Sequence, residues 1–133
     1  MRRITLLLCF VWLIPLLCPP LVWAEQGQEV YKQRQELFVE IEAYAHIPWY
    51  YLAAIDQYER AIGTGQDNPK KEGLIAIHIP LHLWAGLLNP NPYDQHPFSI
   101  QYFGGLGRDG DGDGKADPHN DRDIVLSFVT YLL

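Results

Sequence analysis

From Gln28 to Ala45, apolar positions recur with a helical period. Val30, Leu37, Ile41 and Tyr44 are spaced by sevens, fours and threes, with charged residues between them. That spacing predicts an amphipathic helix. His46-Ile47-Pro48 breaks it, and Pro48 suits the first turn of a second helix, where its missing N–H costs nothing. Leu52, Ile55 and Tyr58 line one face of that helix, and Gly63-Thr64-Gly65 ends it. A polar loop follows. Ile75, Ile77 and Ile79 then alternate, which permits a short strand, and Pro80 to Leu87 fits a short helix. Asn89-Pro90-Asn91-Pro92 is a loop, and Ser99 to Phe103 has no clear pattern. At the end, DIVLSFVTYLL has helical spacing, with Asp121 or Asp123 as its N-cap. The pattern predicts one small, mainly α domain whose loops carry Pro, Gly and Asp. It also ends inside an apolar helix at Leu132-Leu133, which leads us to expect a fold that continues beyond this point.

The first residues change the picture. Arg2 and Arg3 precede an uncharged, apolar run from Ile4 to Leu17; prolines follow, and then Val22-Trp23-Ala24 before Glu25. This is the grammar of a secretory signal peptide over residues 1–24, leaving 25–133 as the mature domain. An uncleaved anchor is the alternative, because the run approaches the ~20 residues that a span requires. Both cysteines, Cys9 and Cys18, lie in this segment, so the mature part has no disulfide to staple it. The expected location is secreted, at or near the cell wall. The net charge of −6 becomes more negative once Arg2 and Arg3 are removed. That excludes the basic footprint of a nucleic-acid binder.

Candidate chemistry is densest in the acidic segment. With Asp109 at position 1, Asp111 and Asp113 fall at 3 and 5 and Gly114 at 6. Lys115 offers a carbonyl at 7, and Asp117 stands at 9. This is the front of an EF-hand loop, whose alternating oxygens suit Ca2+. Position 12, ordinarily Glu, is Asn120 here, so the closing ligand is weaker or displaced. A solvated acidic loop is the alternative. Elsewhere, His78 and His82 are four apart, but Pro80 lies between them and no Glu completes a zinc motif; they read as core-edge or surface residues.

Glu59 ends an apolar, aromatic-rich helix. A carboxyl held against apolar neighbours resists ionisation, as a general acid must. Most helical glutamates are simply solvated, so spacing alone leaves both readings open. Among the aromatics, Trp84 and Tyr102 are the candidates for stacking on a sugar.

The stretch IPWYYLAAIDQYE, ending on Glu59, resembles the catalytic segment of B-type lytic transglycosylases. DGDGDGKADPHNDRDIVLSFVTYLL resembles their later segment, in the same order along the chain. The resemblance implies a lysozyme-like fold, mainly α with an α+β character. It places Glu59 at the catalytic acid and Ca2+ in an EF-hand-like loop. The implied reaction is cleavage of peptidoglycan between N-acetylmuramic acid and N-acetylglucosamine, with a 1,6-anhydro product. The chain also resembles the module that precedes a lysostaphin-type zinc endopeptidase domain in secreted bacterial wall enzymes. That implies a zinc peptidase domain as partner, beyond Leu133. There are departures: Arg60 follows Glu59 where the family has Ser or Thr, and GLIAIHIPLHLWAG matches the family's substrate-gripping loop only at Pro80 and Trp84, without its Gln. The alternative is a non-catalytic wall-binding or spacer module.

Overall fold

The computed structural model describes residues 22–62 and 73–133. The signal-peptide reading of residues 1–24 and the polar loop after Ile62 fall almost wholly outside them. The chain divides into two compact units, residues 1–31 and 32–133. What is described of the first is the start of a helix; the second holds the core.

Among the described residues, five helices account for the regular structure: α1 (Val22–Ala45), α2 (Trp49–Ile62), α3 (Leu81–Ala85), α4 (Pro97–Tyr102) and α5 (Asp121–Leu132). Among the described residues there is no strand, and none of the helices is long and apolar enough to cross a membrane.

In α1 the buried stripe is Leu37, Phe38, Ile41 and Ala45, while Val30 and Tyr44 are exposed. The stripe therefore runs by fours from Leu37, and Tyr44 stands one position off it. His46, at φ 58°, turns the chain out of α1, and the Glu42 carboxylate accepts the N–H of Trp49 at 3.1 Å to start α2. Leu52 is fully buried and Ile55 partly so, but Tyr58 is exposed. The fourth position of that face is taken by Asp56, which is 0% exposed.

The alternating isoleucines form no strand. Ile75, Ile77 and Ile79 are buried, yet their segment takes side-chain partners in place of a ladder. The N–H of Ile75 donates to Asp121 Oδ1 at 3.2 Å, and that of Ala76 donates to Asp56 Oδ1 at 2.5 Å. Two buried donors are thus satisfied by carboxylates from distant helices, as buried backbone requires.

Helix α3 delivers Trp84 to the core centre, where its indole N–H donates to the Ala116 carbonyl at 3.1 Å. Gly107 runs directly over the ring: a Cβ there would stand 2.6 Å from Nε1. Helix α4, which the sequence left unread, starts with Pro97 in its first turn and buries Ile100. Helix α5 closes the core with Ile124, Val125 and Val129. Its N-cap is Asn120, not Asp121 or Asp123 as expected.

Candidate functional site

The acidic segment folds in on itself before α5. Glycines at 112 and 114 take φ of 81° and 88°, a region that L side chains rarely enter. The Asp109 carboxylate accepts both of their N–H groups, at 2.7 and 2.8 Å. Asp111 accepts from Asp113 N at 3.1 Å, and Asp113 from Lys115 N at 2.8 Å. Asp117 accepts from His119 N at 2.8 Å.

The start of α5 completes this arrangement. Asp123, 1% exposed, accepts the N–H groups of Gly110 and Asp117, each at 2.7 Å. One oxygen from each of Asp109, Asp111 and Asp123 falls within 4.8 Å of the others. Burial pushes the Asp123 carboxyl up from its ordinary pKa, and the nearby Asp111 and Asp109 charges add to the shift; the two backbone donors oppose it. Three converging carboxylates, one of them buried, form a donor set that suits a hard divalent cation.

The expected ligands sort unevenly around that point. Asp109 and Asp111 belong to the converging group of carboxylates; Asp113 and Asp117 lie on the same loop outside it, with Lys115 between them. Asn120 is otherwise engaged: its Oδ1 caps α5 by accepting from Arg122 N at 2.9 Å, and its Nδ2 donates to Asp111 at 2.6 Å. Asp123, at position 15 counted from Asp109, completes the converging group. The sequence offered it only as a helix cap.

Glu59 lies on the last turn of α2 and is partly exposed. It lines none of the three clefts described below. No ion pair joins it to Arg60 among the described residues. The Arg60 guanidinium instead approaches Asp56 Oδ2 at 3.5 Å and donates to the Leu74 carbonyl at 3.0 Å. Arg34 of α1 reaches the same pair, 3.5 Å from Asp56 Oδ2 and 2.9 Å from the Leu74 oxygen. This buried network was not legible in the sequence; its one local trace is the i, i+4 spacing of Asp56 and Arg60.

Trp84 is a core residue, 1% exposed, and presents no ring face to a sugar. Its indole packs against Gly107 and donates to the Ala116 carbonyl. Tyr102 is 84% exposed at the end of α4, with its ring 5.1 Å from that of Phe103. His78 and His82 are both exposed.

Among the described residues, the second unit is indented by clefts that include the following three. A polar one of about 710 Å³ runs between α1 and the start of α5, past Glu36, Asp111, His119 and Asp121. The Glu40–Arg122 ion pair, at 2.9 Å, bridges its two sides. A second, of about 520 Å³, passes Tyr44, Asp109 and Leu126. An apolar hollow of about 290 Å³ is lined by Ile79, Leu83, Leu106 and Phe128.

No family model matches the chain, and no solved structure matches it. It is 52% identical, over 105 residues, to an L-Ala--D-Glu endopeptidase of Bacillus subtilis (strain 168). The matched region is 78% of this chain but 32% of that protein, so the chain spans about a third of the relative's length.

Proposed function

We propose that this chain is a peptidoglycan-directed domain that works outside the cytoplasm, in the setting of wall hydrolysis. The observation that carries this reading is its 52% identity, over most of its length, to a protein named for cutting an L-Ala--D-Glu bond, a linkage of wall peptides. Within that setting we assign the chain a transglycosylase-type reaction on the glycan, in a lysozyme-like fold. Glu59 donates a proton to the oxygen between N-acetylmuramic acid and N-acetylglucosamine. It then takes a proton from the muramyl C6 hydroxyl as that oxygen attacks C1, which closes the 1,6-anhydro ring. One carboxyl group serves as acid and then base because the nucleophile belongs to the substrate. The direction of the Arg60 side chain, toward Asp56 and the Leu74 carbonyl, favours this reading.

Ca2+ fits the converging carboxylates of Asp109, Asp111 and Asp123 in an EF-hand-like loop. It would neutralise their mutual repulsion and fix the loop against α5; it supplies no step of the reaction. The zinc peptidase domain belongs to this reading as a covalent neighbour.

The test is digestion of purified sacculi, with 1,6-anhydro muropeptides read by mass spectrometry. The wild type releases them, and Glu59→Gln lowers the rate by about 10²-fold or more, the range of a lost general acid. Equal release from both removes Glu59 from the mechanism. The second reading, a non-catalytic wall-binding module, is favoured by the burial of Trp84. Co-sedimentation with sacculi, without release of any sugar product, selects it.

A further inference from the structure

We propose that the two clefts beside α1 are one groove, and that it receives a peptide bearing a free amine and a free carboxylate. On binding, Glu40 takes the amine and Arg122 the carboxylate, each in exchange for the other. The inference rests on the reading above that the chain is directed to peptidoglycan, whose stem peptides carry both groups. The two clefts share Glu40, Asp111 and Arg122 in their linings, so they meet at the Glu40–Arg122 ion pair. That pair closes at 2.9 Å, with both side chains about half exposed. An ion pair in such contact with solvent contributes little to the fold, so a ligand that supplies both charges replaces it at small cost. The chemistry favours the exchange on each side. A guanidinium fork matches a carboxylate through two parallel N–H donors. Across the groove, Glu36 stands one helical turn from Glu40 on the same face of α1 and lines the same cleft, so two carboxylates flank the place of an incoming amine. Glu36 is itself exposed, 3.8 Å from Lys32 in a loose surface pair. The charge of the groove sets the class of ligand. Five carboxylates are among its lining residues, against the guanidinium of Arg122 and the imidazole of His119. Such a groove draws in a cationic group and disfavours an acidic ligand that brings none. Beyond the ion pair, Tyr44 and Leu126 offer apolar contact to the body of the peptide.

The experiment is co-sedimentation with purified sacculi, native or with their free amines acetylated, at one pH, salt and Ca2+ concentration. Acetylation should weaken wild-type binding by about 10-fold, the range for one lost hydrogen bond to a charged group. Glu36→Gln and Glu40→Gln should bind native sacculi more weakly and lose most of that difference. Arg122→Gln should weaken binding to both forms alike, because acetylation leaves the carboxylates unchanged. Asp113→Asn makes the same change of charge as the Glu variants, lines neither cleft, and should keep the whole difference. Wild-type binding that is indifferent to acetylation overturns the proposal while the peptidoglycan reading stands. So do Glu variants as sensitive as the wild type, or an Arg122→Gln that binds native sacculi as tightly. An Asp113→Asn that loses sensitivity with the Glu variants overturns it too, since net charge alone would then be the cause. If Glu40→Gln does not fold, Glu36→Gln decides by the same comparison, at an exposed position. A wild type that binds neither form of sacculi sinks the peptidoglycan reading and this proposal together.

Discussion

At the scale of single residues, the fold depends on a few close approaches between backbone and buried ring. Gly107 is one. A methyl group there would lie 2.6 Å from Trp84 Nε1 and 2.8 Å from Cε2, and the ring cannot retreat because its N–H is tied to Ala116. Gly107→Ala should therefore cost about 1–3 kcal/mol, the range of an overpacked core, read as a lower urea midpoint with unchanged slope. A second residue-scale effect is electrostatic. Asp94 is held below the usual carboxylate range by hydrogen bonds, first from the Ser99 side chain, then from Asn89, then from the His96 N–H. A depressed carboxyl stabilises the fold above its unfolded pKa of about 3.9, and that contribution disappears as pH falls through the lower, folded value. Asp94→Asn should leave thermal stability less dependent on pH below about 4. A variant whose acid limb matches that of the wild type refutes the assignment.

At the scale of elements, periodicity foretold α1, α2 and α5 because each buries one face, and a face is a local property of sequence. It misplaced positions where the partner is distant. The alternating isoleucines read as a strand, yet the Ile75 and Ala76 N–H groups go to Asp121 and Asp56, 46 and 20 residues away. Nothing near residue 75 encodes that choice. The sequence pointed to Asp121 or Asp123 as the cap of α5, but the cap is Asn120, an equally competent residue type one position before Asp121; its amide also reaches Asp111. Asn120→Ala removes an acceptor for the Arg122 N–H at 2.9 Å and the Asp123 N–H at 3.4 Å, together with the donor to Asp111. We expect a loss of about 1–2 kcal/mol, at the upper end for a cap. Urea denaturation checks it, and Asn120→Asp should retain the capping part, since an Asp side chain caps equally well and suits the helix dipole. The site shows the same division. Asp109 and Asp111 were legible from local spacing, whereas Asp123 joins them only because α5 begins by folding back on Gly110.

For the molecule as a whole, the question is what offsets the charge collected where the loop meets α5. Asp123 is buried, and its ionised form is disfavoured first by burial and then by Asp111 and Asp109. The Asp123 carboxylate by itself ties Gly110 and Asp117 to the helix that closes the core. A cation seated among the three carboxylates would turn that repulsion into a link between the loop and the core, in a region that holds no cysteine to crosslink it. Stability should then rise with Ca2+ concentration by mass action, by about 2.7 kcal/mol at a hundred times the dissociation constant. Mg2+ should do less, because it holds its waters and demands stricter octahedral geometry. The variants separate the converging group from the rest of the loop. Asp109→Asn and Asp123→Asn should each abolish most of the Ca2+-dependent rise in Tm, while Asp113→Asn, outside the group, should retain most of it. A Tm indifferent to millimolar Ca2+, or a response in Asp123→Asn equal to that of the wild type, would leave these aspartates as a hydrogen-bonded turn and no more. A graded response that follows the three converging residues, and not the alternating spacing along the loop, would instead make the junction with α5 the determinant of the site.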